Sequence, residues 1–393
     1  MMTSFPKALE KIIGHAPRME VETCRLEQAH GRVLRQEIRA DRDIPPFDRV
    51  MMDGYALRAV DLIANRSFLV AGSAPAGNPQ AVLPGQSGVC LEVMTGAPLP
   101  IGADCIVPVE LTMDMGDGGI SVSQDFEVQA GRFIHRAGSD AKSGDSLLEP
   151  GILLGSREIG VAASCGASFL GVSRMPHIAI QPTGDELVAV DSIPGLHQIR
   201  QSNGHAIRAA LANAGYMAEL HAPLGDESSA EDLRGLLEAN DWLIFTGAIS
   251  KGARDFLPGL LAELGCTCVF HGVAQRPGKP AGCWLGPHGQ AIMALPGNPV
   301  SAITGLHAFV LPALAVASGR PLPKSRLVVP AGRFDGLSGM TQHLPVKLSG
   351  DGRAHPAPTG NSGDFIGLLK SDGFVTLPPR GELAAAAPFT PWL

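Results

Sequence analysis

Short apolar runs separated by helical patterns occupy the middle of the chain. Three of these runs are each followed directly by a polar loop: His177–Ile180, Trp242–Phe245 and Ala291–Leu295. Such alternation indicates parallel strands joined by crossover helices. The loops after the strands of such a sheet gather at one edge, where open α/β sheets bind ligands. We therefore expect the chemistry at these loops, within residues 176–317.

Polar residues mark the ends of the helices between these strands. Asn203 is predicted to cap one helix, and Ser228 with Glu231 forms the capping box of a second. Phe256–Leu264 is predicted to be a third helix and Thr267–Phe270 a further strand.

The flanking regions have different patterns. Residues 1–44 carry two apolar stripes at helical spacing, which predict two helices: Ala8, Leu9, Ile12, Ile13 and then Leu26, Ala29, Val33, Leu34. From residue 48 to about 136, short β-type runs alternate with Gly/Pro-rich turns and predict a small β module. Ser156–Ser164 is a helix candidate. After Pro323 the chain is again β-like and predicts a C-terminal β domain.

Composition limits the possible partners. The chain has 393 residues, enough for roughly two to four domains, with 45% hydrophobic residues and a net charge of −7. No Lys/Arg block suggests a nucleic-acid partner, so local positive groups must hold any anionic ligand. The longest apolar stretch, Leu306–Ala317, is too short to span a bilayer. Seven cysteines without a CxxC pair favour a reducing compartment, and we expect a cytoplasmic protein without a membrane or nucleic-acid partner.

Two loops suit phosphate chemistry. In Thr183-Gly184-Asp185-Glu186 the glycine allows close backbone approach, and the carboxylates could share Mg²⁺; the alternative is an ordinary polar turn. The loop Thr246–Asp255 resembles a phosphate cradle, although it lacks the Gly-Lys-[Ser/Thr] of a P-loop. Asp255 could instead cap the following helix.

Two proline-rich turns suit other roles. Arg276-Pro277-Gly278-Lys279-Pro280 can hold two cations close together, which favours an oxyanion site, although an exposed basic turn is the alternative. Pro296-Gly297-Asn298-Pro299 is a rigid strand-to-helix turn that is equally compatible with an architectural role. The twelve histidines form no HExxH motif and no catalytic triad.

Further loop motifs complete an ordered set: Pro45-Pro46-Phe47-Asp48, Met52-Asp53-Gly54-Tyr55-Ala56, Met94-Thr95-Gly96-Ala97-Pro98, Gly102-Ala103-Asp104, Ala137-Gly138-Ser139-Asp140, Gly144-Asp145, Ser202-Asn203 and Leu295-Pro296-Gly297-Asn298-Pro299-Val300-Ser301-Ala302. Together with the loops above, this set resembles the molybdopterin molybdenumtransferase (MoeA) family, which is related to the gephyrin E domain. The resemblance covers roughly residues 8–380. Its specificity lies in the order of the motifs.

The resemblance implies a multidomain fold of the α/β plus β class. A discontinuous helical N-terminal domain (1–47 and 138–175) would enclose an inserted β domain (48–137). A doubly wound, MogA-like α/β domain (176–318) would bind molybdopterin, and a C-terminal β-barrel domain (319–393) would follow. The family forms elongated homodimers.

The resemblance also implies a reaction of molybdenum cofactor biosynthesis. Family members take adenylylated molybdopterin and molybdate, cleave the adenylate with Mg²⁺ assistance, release AMP and insert molybdenum. Tungstate is an alternative oxyanion. A MogA-like adenylyltransferase and molybdoenzyme chaperones are the expected protein partners.

Site residues follow from position in the family pattern. The expected catalytic residues carry acidic or hydroxyl groups: Glu186, Asp255, Asp53, Thr95, Asp140 and Asp226. The expected metal ligands are all carboxylates: Asp185, Glu186, Asp226 and Asp255. The expected substrate-binding residues come mostly from the loops of the α/β domain: Thr183, Gly184, Asp185, Asn203, Thr246, Gly247, Ser250, Gly252, Arg276, Lys279, Pro296, Asn298, Pro299 and Ser362.

Three positions depart from the family pattern. Ala248 stands where a second glycine is usual, Arg276 replaces a lysine, and Pro345 occupies the place of an arginine that helps to bind molybdate. Ala248 and Pro345 leave open a non-catalytic scaffold or cofactor-handover protein on the same fold. A nucleotide hydrolase is a further alternative, because the MogA-like domain also occurs in other proteins.

Overall fold

The computed structural model describes residues 2–249, 256–320, 322, 326–380, 382–383 and 386–393, the backbone alone for 382–383. The chain forms two compact units. The large unit contains Met1–Arg35, Pro150–Gly155 and Leu170–Leu393, and the small unit contains Gln36–Glu149 and Ser156–Phe169. The four predicted domain boundaries stay predictions.

A six-stranded sheet organises the large unit. Its strands lie in the order Glu219–Leu220, Ile178–Pro182, Trp242–Thr246, Ala291–Leu295, Gly282–Leu285 and Thr267–His271. The three strands expected from the sequence are central and parallel, with Ile178 opposite Trp242 and Trp242 opposite Ala291. The last two strands pair antiparallel at one side. The parallel centre brings the loops after the three strands to one edge, as predicted.

Both faces of this sheet are buried. Since side chains alternate along a strand, Trp242 and Ile244 enter one apolar core while Leu243 and Phe245 enter the other. Helix Asn203–Asn213 packs on the first face, and helices Ala230–Ala239 and Leu257–Glu263 pack on the second. Helices on both faces of a mostly parallel sheet define the doubly wound fold.

The predicted apolar stretch is part of a longer helix. Residues 299–317 form one helical segment, composed of Pro299–Gly305, a π-helical turn Leu306–Val310 and Leu311–Ala317. At 19 residues it is long and apolar enough to cross a bilayer, which corrects the expectation from length, but 83% of its most apolar 18-residue stretch is buried inside the protein. Its apolar side chains belong to the first core of the large unit.

A closed five-stranded barrel completes the large unit. Its strands are Arg326–Pro330, Thr341–Leu348, Arg353–Pro356, Gly373–Leu377 and Ala387–Pro391, and pairing of the second with the fourth closes the ring. Outside the ring, Val273–Arg276 pairs parallel with Thr341–Leu348, and Thr3–Ser4 pairs parallel with Val273–Arg276. The barrel is therefore hydrogen-bonded directly to the α/β part.

The remaining elements of the large unit are short. Helix Phe5–His15 packs on the first core. The other paired strands are Val21–Arg25 with Phe169–Ser173, Leu187–Val188 with Ile199–Arg200, and Phe334–Asp335 with Glu382–Leu383. The 3₁₀ turns are Leu26–Gln28 and Ile366–Lys370.

The small unit is a β module, as the sequence predicts. Its six-stranded sheet has the order Cys105–Pro108, Gly54–Leu57, Val89–Val93, Ser67–Ala74, Gly119–Val122 and Thr112–Asp114. Two further pairs of strands are Arg49–Val50 with Ile134–His135 and Ile38–Arg39 with Ser146–Leu148. Ser156–Ser164 is helical as predicted, the short helix Ala59–Ala64 was not expected, and Val109–Leu111 forms a 3₁₀ turn.

Three local predictions are wrong. The stripe at residues 26–34 is not a helix, because Val33 and Leu34 make single β bridges to other segments. Ser202, not Asn203, is the N-cap residue of its helix. The capping box is formed by Ser229 and Asp232, one position after the predicted pair.

Burial of His343 predicts an acid-sensitive large unit. The imidazole packs edge-on against Phe5 and Phe374, with ring centroids 4.7 and 5.2 Å away, and burial lowers the pKa of His343 to about 3. Unfolded histidine titrates near 6.5, so the unfolded chain binds more protons between these values. Buried, neutral His343 therefore contributes its full stabilisation of the folded state above about pH 6.5, and this contribution decreases as pH falls toward 3.

We expect acidification from pH 6.5 to 5 to lower the free energy of unfolding by on the order of 2 kcal/mol through His343. Tryptophan fluorescence in urea measures this change, because all three tryptophans (Trp242, Trp284 and Trp392) lie in the large unit. His343→Phe should flatten the pH dependence, whereas His30→Phe at an exposed site should not. The prediction would be contradicted if the free energy of unfolding of His343→Phe depended on pH as steeply as that of the wild type.

Candidate functional site

Three loops meet at the carboxyl edge of the parallel strands. The Thr183 N–H donates to the Thr246 carbonyl at 3.0 Å, and the Gly247 N–H donates to the Leu295 carbonyl at 3.0 Å. These bonds continue the sheet pairing into the loops and hold them side by side. They border a cleft of about 580 Å³, the carboxylate cleft, which is lined by Thr183, Gly184, Glu186, Arg200, Gln201, Asn203, Asp226, Thr246, Gly247, Ala248, Pro280, Pro296, Asn298, Pro299 and neighbouring residues.

Two glycines allow this close approach. A Cβ at Gly247 would lie 2.6 Å from the Thr183 carbonyl oxygen, and a Cβ at Gly184 would lie 2.5 Å from a carboxylate oxygen of Glu186. Both residues also have positive φ, 103° and 138°. A side chain at Gly247 would push its loop away from Thr183, whereas one at Gly184 would displace the Glu186 carboxylate and strain the backbone, so the predicted importance of both glycines has a steric basis.

The acidic residues have different positions. Glu186 and Asp226 line the carboxylate cleft, whereas Asp185 does not. Asp185 Oδ1 instead accepts the Asp226 N–H at 3.0 Å and so fixes the loop that carries Asp226. Among the described residues, no group of three or more His, Cys, Asp or Glu side chains is close enough to enclose a metal ion. A site built only from protein carboxylates is thus not formed by this part of the chain.

The predicted residue Asn203 faces the same cleft together with Gln201 and Arg200, which the sequence did not single out. Gln201 Oε1 and Asn203 Oδ1 are buried without a hydrogen-bond partner among the described residues. Asn203 is anchored at its other end, since Nδ2 donates to the Gly297 carbonyl at 2.7 Å. Arg200 adds a guanidinium to the lining. The strand Ile199–Arg200 that carries it is only two residues long, too short for an apolar pattern.

A second cleft lies between the α/β part and the barrel. This cationic cleft has a volume of about 880 Å³ and is lined by Gln275, Arg276, Gly278, Lys279, Pro280, Pro296, Asn298, Ser301, Ser338, Gln342, Pro345, Thr359, Asn361, Ser362 and neighbouring residues. Among the described residues, the lining contains Arg276 and Lys279 and no carboxylate. Its electrostatic character is therefore opposite to that of the first cleft.

The two clefts share one wall. Pro280, Pro296 and Asn298 line both. Asn298 Nδ2 donates to Ser362 Oγ at 2.9 Å, and the Val300 N–H donates to the Ser362 carbonyl at 3.1 Å. The predicted residues Asn298, Pro299 and Ser362 are thus brought together at the start of the 299–317 helix, whose N-terminus favours negative charge.

Pro345 lies in the cationic cleft and supplies no charge there. A cation does approach from another strand end: Arg380 Nε donates to Ser338 Oγ at 3.2 Å, and Ser338 lines this cleft. Arg380 has a φ of 53° in the left-handed region. Sequence reasoning missed it because only the fold brings residues 338 and 380 together.

Asp53 and Thr95 meet in the small unit. Asp53 Oδ1 accepts both the Thr95 N–H at 2.6 Å and the Thr95 hydroxyl at 2.8 Å. These bonds hold the pKa of Asp53 below its usual range. The carboxylate is therefore ionised and oriented.

Asp140, also in the small unit, is held by the residues around it. Its Oδ1 accepts from His135 Nε2 at 2.7 Å. The hydrogen bond from His135, with a smaller one from Ser139, holds the pKa of Asp140 low. His135 was not among the predicted site residues.

Ser250, Gly252 and Asp255, together with Lys251 and Arg254, lie outside the described residues. Their predicted roles stay predictions.

The fold and the two clefts define a class of protein. A doubly wound α/β domain with glycine-bordered loops at its carboxyl edge, next to a barrel that lines a cleft containing two cations, is suited to bind a phosphorylated ligand beside a second anion. Comparison with known proteins defines the family within this class.

Family models match the chain over three consecutive regions: the MoeA N-terminal region (domain I and II) over residues 3–166, the probable molybdopterin binding domain over 179–316, and the MoeA C-terminal region (domain IV) over 329–387. The chain is 36% identical to the molybdopterin molybdenumtransferase of a Synechocystis strain, with 100% of both chains covered. It is 31% identical to that of Staphylococcus aureus, over 95% of this chain and 90% of the relative.

A solved structure of the molybdopterin biosynthesis MoeA protein from Pyrococcus horikoshii OT3 is also similar, with a TM-score of 0.81, 25% identity and 100% of both chains covered. The chain belongs to the MoeA family of molybdenum cofactor biosynthesis. It is accordingly a transferase of that pathway.

Adjacent substitutions at the cleft border should have opposite effects on stability. Gly247→Ala places a methyl group against Thr183 and should lower the free energy of unfolding by roughly 2–4 kcal/mol. Ala248 already has a φ of 48°, so Ala248→Gly should raise it by roughly 0.5–1 kcal/mol. Urea titrations monitored by tryptophan fluorescence test both variants. If both substitutions changed the free energy of unfolding in the same direction, local backbone geometry would not determine the stability of these loops.

Proposed function

We propose that this protein cleaves adenylylated molybdopterin, releases AMP and transfers molybdenum from molybdate to molybdopterin. In this proposal the adenylylated substrate lies in the carboxylate cleft and molybdate lies in the cationic cleft. The observation that carries the proposal is the common wall of Pro280, Pro296 and Asn298, because ligands in the two clefts would meet there.

Charge distribution supports this assignment of ligands. Molybdate is a tetrahedral dianion, and Arg276 and Lys279 can donate charge-assisted hydrogen bonds to it without a competing carboxylate in the lining. The Ser362 hydroxyl and the N-terminus of the 299–317 helix add neutral donors and a positive potential. Tungstate has the same shape and charge, so it is an alternative substrate of the same cleft.

The carboxylate cleft suits Mg²⁺ with a phosphate ligand. Mg²⁺ in nucleotide sites usually takes one or two carboxylates together with substrate phosphates and water. Glu186 and Asp226 supply such a pair, and Asp255 is a third predicted ligand. When bound, the ion would offset the negative charge of the phosphoanhydride as its P–O bond breaks. Asp185 acts by holding the Asp226 loop.

Neutral groups would bind and orient the rest of the substrate. Gln201 and Asn203 present buried acceptors without partners in the described structure, and the pterin and adenine rings both carry N–H donors. Thr183, Thr246 and the glycines beside them shape the wall against which the phosphates would rest. Arg200 is a candidate for a phosphate oxygen.

Cytoplasmic location and a homodimer are further parts of the proposal. All seven cysteines are free, which suits a reducing compartment. In a homodimer, Asp53, Thr95 and Asp140 would be available as additional site residues. Sedimentation equilibrium of the purified chain tests the dimer, and a monomeric mass at micromolar concentration would exclude it.

The central test is molybdate-dependent AMP release from adenylylated molybdopterin in the presence of Mg²⁺. We expect Glu186→Gln to lower the rate by about a hundredfold, because the variant keeps the shape of the side chain and removes one charge from the metal site. Glu231→Gln, on an exposed helix face, is the matched control and should retain the wild-type rate.

Other outcomes of this assay identify the alternatives. AMP release that does not depend on molybdate, without cofactor formation, would indicate a nucleotide hydrolase. AMP release no faster than in Glu186→Ala would indicate a scaffold or handover protein.

Charge in the cationic cleft should control the affinity for molybdate. Lys279→Gln removes a charged donor and should raise the half-saturating molybdate concentration about tenfold or more. Arg276→Lys keeps the charge but loses the planar fork, so we expect a smaller increase. Lys347→Gln, which affects an exposed pair with Asp372, serves as the control. If Lys279→Gln, Arg276→Lys and Lys347→Gln all keep the half-saturating molybdate concentration of the wild type, molybdate does not bind in this cleft.

A further inference from the structure

A chain of three polar side chains ends on Asp140 in the small unit. Strands Arg49–Val50 and Ile134–His135 pair antiparallel, with His135 directly opposite Arg49. The Asp140 N–H donates to the Ile44 carbonyl at 2.9 Å, which fixes the backbone of the turn. The three side chains are therefore carried by paired or hydrogen-bonded backbone.

The hydrogen bonds determine where the proton of His135 lies. Arg49 Nη2 is 3.1 Å from His135 Nδ1, and His135 Nε2 is 2.7 Å from Asp140 Oδ1. A guanidinium can only donate, so Nδ1 must be the unprotonated acceptor. The imidazole is then neutral with its proton on Nε2, and this proton is donated to Asp140.

Both donors to the Asp140 carboxylate reach the same oxygen. Oδ1 accepts from His135 Nε2 and from Ser139 Oγ, the latter at 3.2 Å. Within the part of the chain that the structure describes, no hydrogen bond reaches Oδ2. Asp53 shows the same asymmetry, since both of its bonds from Thr95 end on Oδ1. Each carboxylate is thus oriented through one oxygen, and the other stays available to a ligand.

Neighbouring cations face other carboxylates. Arg136 donates to Asp48 at 2.5 Å, and Lys142 donates to Asp43 at 3.2 Å. Among the described residues, Arg49 contacts His135, which in turn contacts Asp140.

We propose that Arg49 and His135 are positioning residues for the transfer reaction. Arg49 holds His135 in the Nε2–H form, and His135 orients Asp140 so that Oδ2 can contact the substrate. The inference rests on the proposed function, in which Asp140 is a catalytic residue. The inference adds Arg49 and His135 to the proposed site residues. Neither lies in a sequence motif, and Arg49 acts on His135, which acts on Asp140.

Kinetics test the role in the reaction. We expect His135→Leu to lower kcat for molybdate-dependent AMP release about tenfold, the effect of one hydrogen bond to a charged group, with little change in KM. His135→Gln should recover most of the loss, because its amide can donate from nearly the position of Nε2. His30→Leu, at an exposed histidine elsewhere, should have no effect. In an Asp140→Asn background, His135→Leu should cause no further loss.

Nitrogen-15 NMR of histidine-labelled protein tests the geometry independently of activity. At pH 7.5 we expect one imidazole, assigned by its absence in His135→Gln, with Nε2 protonated and Nδ1 unprotonated. Arg49→Met should shift this residue toward a mixture of tautomers and lower kcat to a similar extent as His135→Leu.

A protonated Nδ1 in the wild type would overturn the inference. So would additive effects of His135→Leu and Asp140→Asn, or unchanged kcat in both His135→Leu and Arg49→Met while the wild type is active. If the wild type shows no molybdate-dependent AMP release, the proposed function fails instead, and the tautomer alone decides whether Arg49 controls His135.

Discussion

Parallel pairing between Val273–Arg276 and the barrel strand Thr341–Leu348 determines where both clefts lie. Gln275 is opposite Thr341 and Arg276 is opposite Gln342. These pairings place the Arg276–Lys279 turn between the barrel and the carboxyl edge of the central sheet. Because the next residue, Pro280, reaches both clefts, one short segment connects the positive and negative halves of the candidate site.

Opposite charges in adjacent clefts solve an electrostatic problem. The proposed substrates are both anions and repel each other. A divalent cation would offset the two carboxylates of the first cleft when a phosphate binds there beside Arg200, whereas Arg276 and Lys279 can hold an oxyanion directly. Pro296 and Asn298 form part of the wall between Glu186 and Asp226 on one side and Arg276 and Lys279 on the other, so each cleft has its own charge.

The sequence predicted the elements that depend on local pattern. The central parallel strands, helix Ser156–Ser164 and the β character of both flanking regions follow from periodicity and turn residues. The stripe at Leu26–Leu34 failed because tertiary bridges at Val33 and Leu34 override a weak helical spacing. The capping box moved by one residue because Ser228 and Ser229 are equally good caps, and only the backbone geometry selects between them.

Prediction of the site was better for loops than for contacts. Glycine and proline motifs marked the cleft borders because their backbone constraints are local. Asp185 and Glu186 are adjacent and chemically alike, yet one binds a backbone amide and the other lines the cleft. Gln201, His135 and Arg380 carry no motif. Arg49 reaches His135 and Ser338 reaches Arg380 from far away in sequence, and Gln201 faces the carboxylate cleft because the fold places it there. Single-residue patterns encode neither.

The hydrogen bond between Asn298 and Ser362 joins the two clefts physically. A ligand that takes the serine hydroxyl in the cationic cleft alters the partner of an amide that also borders the carboxylate cleft. In the proposed arrangement of ligands, occupancy of one cleft would change the affinity of the other through this pair, and thermodynamic linkage would require the two changes to be equal.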